Sequence, residues 1–349
     1  MRRDIVVTGA TGKQGLALIK ALLHPAVDAN RSPNTASGNP ESEVEEHTYH
    51  IYAVTRNASS PGAKRLAETE EHVTVVEGDL DVPDSIRKIF DSAKEDGHGI
   101  WGVFAVLAFP GLGVQADGEE RQGKLLADLA LEYGVSCFVY SSRMGPGPKY
   151  DDSLKLSSLA KRNVEKYCVE LGEKGLGWTI LRPGFFLENF DGFIGSITTA
   201  VLKAGLKADT KNAYIASEDI GNVAAAVFRD HEKYKFQTLA VVAEYNTMAQ
   251  MEEAHQRAKG KPMPAVPGVF AWLLLKINKA TQGLIQDIEL SHHARVSGEY
   301  PTCEAELELA RSAYKMKSYE EWLRQGSDAK EIKENWNQVS LWKLITGKL

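Results

Sequence analysis

Val7-Thr8-Gly9-Ala10-Thr11-Gly12-Lys13-Gln14-Gly15 decides the fold. The residues around its start, 4–8, are short and mostly apolar and predict a strand. Residues 13–23 carry apolar side chains at helical spacing. The three glycines therefore fall at a strand-to-helix turn. Gly9 permits the tight turn, Gly12 lets the backbone approach a pyrophosphate, and Gly15 lets the helix pack closely on the sheet. Ala10, Thr11, Lys13 and Gln14 complete the loop. The helix start offers free N–H groups and a partial positive charge to an anion. A Walker A loop is excluded, because Gln14 follows Lys13 where Ser or Thr is needed and Val7 stands at its first glycine.

Outward from the loop, strand patterns over 49–55, 73–77, 102–106, 137–141 and 178–182 alternate with helical patterns over 62–70, 83–93, 119–133 and 154–174. This alternation predicts an α/β protein, a Rossmann doubly wound parallel sheet over residues 1–184. Residues 27–47 break the rhythm. They are polar and rich in Pro, Ser, Asn and acids, and are expected to form a disordered surface insertion. Beyond 185 the pattern loosens. It predicts a helix over 217–228, a strand over 238–242 and a helix over 247–258 capped by Thr247 and Gln250. An apolar stretch at 266–284 and short helices over 304–311 and 318–324 follow. A smaller C-terminal α/β lobe over 185–349 is expected to meet a substrate or partner, with some segments returning to the core.

The chain has 349 residues and a formal charge of −6. No Lys/Arg block appears, so direct nucleic-acid binding is not expected. The apolar run over 269–277 is interrupted by Lys276 and is too short to span a bilayer. No membrane association is expected. Cys137, Cys168 and Cys303 form no CxxC pair, which points to a reducing compartment, cytoplasmic or nuclear. Cys303 beside Glu304 reads as a surface thiol. His292 and His293 are adjacent and cannot face one metal together.

The second strand ends Thr55-Arg56-Asn57, with no acid to bind a ribose 2′-hydroxyl. Arg56 can instead fork onto a 2′-phosphate, with Asn57, Ser59 and Ser60 as neutral donors nearby. The expected cofactor is NADP(H). Asp79 and Leu80, after the third strand, are placed to meet the adenine, while Asp81 can cap the next helix.

TGATGKQG, AVTRN, VEGDLD, WGVFAV, RQGKLLADLALEYGV, CFVYSS, WTILRPGFFLENF, SEDIGNVAAAVF and YEEWL occur in that order. Together they resemble the NmrA-like branch of the atypical short-chain dehydrogenase/reductases, well from about residue 4 to 242 and thinly after that. That family combines a Rossmann fold with a small C-terminal lobe and includes both NADP(H)-sensing regulators and reductases. The resemblance implies further contacts. Leu107, Ala108 and Phe109 would line the nicotinamide side, with Arg121 near the cofactor and Lys161 on the long helix. Phe186, Leu187, Glu188 and Asn189 would close over the nicotinamide. Arg182 matches an arginine with either a structural or a cofactor role.

Active members of the wider superfamily place a tyrosine four residues before the lysine, as proton relay. Here Ser157 holds that position. Two readings follow. In one the protein is an NADPH-dependent oxidoreductase of a small carbonyl or enone, with Lys161 as acid–base group and Ser141 or Ser142 orienting the substrate. In the other Lys161 only anchors the ribose, and the protein reports cofactor state to a regulatory protein partner.

Overall fold

The computed structural model describes residues 2–25 and 47–326. All but the last residue of the insertion expected over 27–47 lies outside them. The first half alternates as the sequence predicts: β1 (Arg2–Val7), α1 (Lys13–Leu23), β2 (Thr48–Thr55), α2 (Pro61–Thr69), β3 (Val73–Glu77), α3 (Pro83–Glu95), β4 (Gly102–Ala105), α4 (Asp117–Glu132), β5 (Cys137–Ser141), α5 (Leu156–Gly172) and β6 (Trp178–Pro183). Local chemistry sets several boundaries. Ser60 Oγ accepts the Ala63 N–H at 3.3 Å and Pro61 follows it, which starts α2. Helix α5 begins later than the predicted 154, because Pro148–Ser153 winds into a 3-10 turn first.

The second half continues with β7 (Phe185–Phe186), α6 (Gly192–Gly205), β8 (Asn212–Ile215), α7 (Ser217–Arg229), α8 (His231–Tyr234), β9 (Gln237–Val241), β10 (Glu244–Asn246) and α9 (Met248–Lys259). It ends with α10 (Gly268–Ile277), α11 (Lys279–Val296), α12 (Cys303–Ala313) and α13 (Tyr319–Gln325). The expected capping box at Thr247 and Gln250 forms, and Ser318 with Glu321 makes a second one on α13.

Seven parallel strands form the main sheet in the order β3-β2-β1-β4-β5-β6-β9. The first-half pattern covers six of them, and β9 returns from the second half to the edge beside β6. Helices cover both faces, so β4 and β5 are buried end to end and read as near-continuous apolar runs. One face packs Leu18, Ile19, Val223 and Phe228 from α1 and α7. The other packs Phe90, Leu126, Val164 and Cys168 from α3, α4 and α5. Strand order reverses between β1 and β4, which opens a crevice at the carboxyl ends of the strands.

The lobe is built on a small sheet, β10-β8-β7, and a separate apolar cluster of Leu187, Phe190, Ile197, Tyr214, Met251, Tyr319 and Trp322. Cys303 departs from its expected exposure. It is buried, because it shares the inner face of α12 with Leu307 and Ala310. Among the described residues no helix is long and apolar enough to cross a membrane.

Candidate functional site

The site grows from the turn after β1. Gly9 has φ +59°, a conformation other residues adopt at a cost, and its carbonyl accepts the Gly12 N–H at 2.8 Å. A Cβ on Gly15 would stand 2.4 Å from the Gly9 oxygen, so only glycine lets α1 begin this close to the loop. Thr8 fixes the turn against β4: its Oγ1 accepts the Val106 N–H at 2.8 Å. Helix α1 starts at Gly12 with no side-chain cap and no acid in its first turn. Its first N–H groups are therefore left for an anion, which fits the residues present to a pyrophosphate.

Beside the loop, at the end of β2, Arg56 is exposed and has no ion pair or hydrogen bond among the described residues. Asn57 Oδ1 accepts the Ser59 N–H at 2.9 Å, which shapes the turn below the guanidinium. Ser60 caps α2 through its oxygen and keeps its hydroxyl proton free to donate. Asp79 Oδ1 accepts the Asp81 N–H at 3.0 Å, and its second oxygen carries no such bond. Asp81 does not cap α3, whose N-cap is Val82. It faces Arg121 instead, at 3.7 Å, and both side chains are more than half exposed.

After β4 the expected trio divides. Ala108 and Phe109 are exposed, Phe109 by 48%. The Leu107 side chain turns into the core under α4, near Gly123. The 186–189 loop divides likewise. Leu187 is in the lobe core. Glu188 is buried, and its Oε1 accepts the Ser217 N–H at 2.9 Å, which caps α7. Asn189 is exposed and Phe186 half-buried, and Lys13 acts electrostatically on the next acid, Asp191.

On α5, Lys161 Nζ lies 2.8 Å from Glu119 Oε1, and Glu119 is 1% exposed at its side chain. Ser157 Oγ donates to the other oxygen of Glu119 at 2.6 Å. The hydroxyl that replaces the relay tyrosine is thus turned toward α4. Glu119 is a functional candidate that the sequence reading missed. Ser141, buried at the end of β5, donates to Gln14 Oε1 at 2.6 Å, which ties that strand to α1. Ser142 is also buried, and its hydroxyl acts on the Glu165 carboxyl beside Arg182 and Tyr300.

The next turn of α5 holds the lobe. Arg182 Nη2 pairs with Glu165 at 2.6 Å and its Nη1 with Glu306 of α12 at 3.0 Å, and Tyr300 donates to Glu306. Arg162 joins Glu165 to Asp151, each at 2.8 Å. Burial would push the Glu165 carboxyl up, but Arg182 and Arg162 outweigh it and hold it below the usual range. All three guanidinium nitrogens of Arg182 are engaged in this joint, so its role is structural. Arg143 reaches Asp287 of α11 at 3.3 Å, which fastens the lobe across the crevice. His292 accepts the Lys211 N–H at 3.3 Å, and no metal-binding cluster exists among the described residues.

Comparison with known proteins agrees with this construction. The sequence matches the NmrA-like family over residues 1–323. It is 24% identical over 297 residues to the NmrA-like family domain-containing oxidoreductase ptmS of Penicillium ochrochloron, covering 78% of this chain and 77% of that one. Among solved structures, NmrA, a negative transcriptional regulator in complex with NAD, superposes with a TM-score of 0.58 at 18% identity, covering 93% of this chain and 95% of that one. The Citrobacter sp. triphenylmethane reductase complexed with NADP(H) gives a TM-score of 0.57 at 18% identity, with 92% and 99% covered. With its glycine loop, its seven-stranded parallel sheet and a match that spans nearly all of its length, the chain belongs to the NmrA-like family.

Proposed function

We propose that this chain is an NADP(H)-dependent oxidoreductase acting on a small organic carbonyl or enone. The observation that carries the cofactor choice is Arg56: exposed, unpaired among the described residues, and set where an NAD-preferring site would place an acid. The oxidoreductase name of the Penicillium relative and the NADP(H) complex of the Citrobacter reductase support the same reading.

When bound, NADPH supplies the hydride. The chain's own residues do the rest. Amides of Gly9–Gly15 and the start of α1 hold the pyrophosphate, and Arg56, Asn57 and Ser59 hold the 2′-phosphate. Asp79 and Leu80 receive the adenine. Glu119 aims Lys161 from α4, so that its ammonium holds the ribose and donates a proton toward the substrate oxygen. Ser141 or Ser142, buried at the end of β5, orients that oxygen. Lys161→Met is expected to abolish NADPH oxidation across a panel of carbonyls, quinones and enones while NADPH affinity falls less than about tenfold. Undiminished turnover would remove Lys161 from the chemistry.

One observation favours a second reading, a sensor without turnover that acts through a protein partner. Ser157 and Ser141 are both committed to internal bonds, and Lys161 is paired with a buried carboxylate. A sensor would give no turnover with any member of the panel, and Lys161→Met would then weaken cofactor binding alone.

A further inference from the structure

Helix α10 exposes what a helix in a lone domain buries. Its sequence, Gly268-Val269-Phe270-Ala271-Trp272-Leu273-Leu274-Leu275-Lys276-Ile277, is apolar on every side. Ala271 is its one buried residue, and Leu274 and Leu275 are half-buried against the lobe core. Val269, Phe270, Trp272, Leu273 and Ile277 are exposed by 66%, 57%, 54%, 46% and 57%. The face does not end with α10. Val266 N–H bonds to the Ser196 carbonyl at 3.1 Å, which brings the start of α6 alongside. There Phe193 and Ile194 are exposed by 58% and 38%. Seven bulky apolar side chains are thus exposed on two adjoining helices, a concentration that marks a contact surface rather than solvated protein.

The same chain holds a matching segment. Past α13, residues 327–349 carry Ile332, Trp336, Val339, Trp342 and Ile345 at spacings of three and four. That is the spacing of a segment with one apolar side, the kind that seats on an apolar helical face. The starting point is favourable too. Tyr319, Trp322 and Leu323 of α13 pack in one cluster with Ala271, Leu274 and Leu275 of α10. Helix α13 itself packs against α9, so residue 327 leaves from within the lobe whose apolar cluster also holds the inner side of α10. Even wound as a helix, at about 1.5 Å per residue, the segment is more than twice as long as α10.

We propose that residues 327–349 cover the α6–α10 face of their own chain, with Trp336 and Trp342 as its anchors. The occupant is this segment in cis. A second copy of the chain or a lipid surface would need an apolar partner from outside, whereas the chain already carries one within reach.

The full chain tests this with the photo-crosslinking residue p-benzoylphenylalanine in place of Trp272, and in place of Val82 as a distant exposed control. Irradiation followed by peptide mapping should join position 272 to residues 332–345 within one chain, at a yield independent of protein concentration, and leave position 82 unjoined to them. The double variant Trp336→Ser/Trp342→Ser, with an unchanged circular dichroism spectrum, should lose the crosslink and bind an apolar fluorescent dye severalfold more strongly. If that variant fails to fold, Phe270→Glu in the otherwise intact chain serves instead, tested by release of residues 327–349 to proteolysis. Crosslinks between copies, crosslinks to phospholipid vesicles, or none above the dark control would each overturn the proposal.

Discussion

The glycine loop and the seam between sheet and lobe treat charge in opposite ways. The loop keeps acids out of the first turn of α1 and leaves N–H groups without partners. Beside it Arg56 is exposed and unpaired among the described residues. The seam closes its charges on itself: Arg182 with Glu165 and Glu306, Arg162 with Glu165 and Asp151. Unspent donors are what the proposed cofactor site offers a ligand, while spent ones hold a joint. Lys161 lies between the two cases. It is aimed by Glu119, yet its side chain keeps 14% exposure on the crevice side of α5.

The largest effect is expected at the joint. Arg182→Ala leaves Glu165 and Glu306 buried without their shared cation and should destabilise the fold by about 3–5 kcal/mol. Chemical denaturation reads this directly. Arg182→Met combined with Glu165→Gln and Glu306→Gln should recover most of the loss, since no unpaired charge then remains. If the single variant matches wild type, the seam is not held by its charges.

At the loop the effect is steric. Gly15→Ala forces a methyl against the Gly9 carbonyl, and the overlap should lower stability by about 1–3 kcal/mol and weaken cofactor binding together. Thermal melts with and without NADPH separate the two losses. A variant that binds normally would show that α1 can retreat from the loop.

A smaller, pH-dependent effect belongs to Asp219, also on the seam. Burial pushes its carboxyl up to about 6, although the Lys317 N–H donates to it at 2.7 Å. The folded form therefore keeps a proton that the unfolded form has already released. This contribution is favourable below the ordinary aspartate range and is lost as pH rises toward 6. Asp219→Asn should remove that slope and leave the variant more stable than wild type above pH 6, by about 1 kcal/mol. Parallel stability curves for the two proteins from pH 4 to 7 would show that Asp219 does not titrate in this window.

The comparison also explains what could be read in advance. The loop was legible because a backbone requirement dictates a residue type at a fixed spacing, whatever the rest of the chain does. Gly9, Gly12 and Gly15 all follow from that rule. The seam was not legible, because Arg182 and Glu306 are 124 residues apart and neither is unusual where it stands. Glu119 was hidden differently. It stands among Asp117, Glu119 and Glu120 and reads as one solvated acid of three at a helix start. Its place in register with Gly123, Leu126 and Ala130, all buried, was the available signal. Cys303 carried the same signal through Leu307 and Ala310. The lobe's own sheet was the least legible part, since β7 and β10 are two and three residues long and carry no period to detect.

The measurement that bears most directly on the account is a calorimetric titration of the full chain with NADPH and with NADH at one fixed salt concentration. A charge-assisted fork from Arg56 to a 2′-phosphate contributes about 1.5–3 kcal/mol, so NADPH should bind about ten- to a hundredfold more tightly. In Arg56→Ala the two affinities should converge, with NADH binding unchanged. Equal affinities in the wild type, or a preference for NADH, would contradict the assignment of this site to NADP(H).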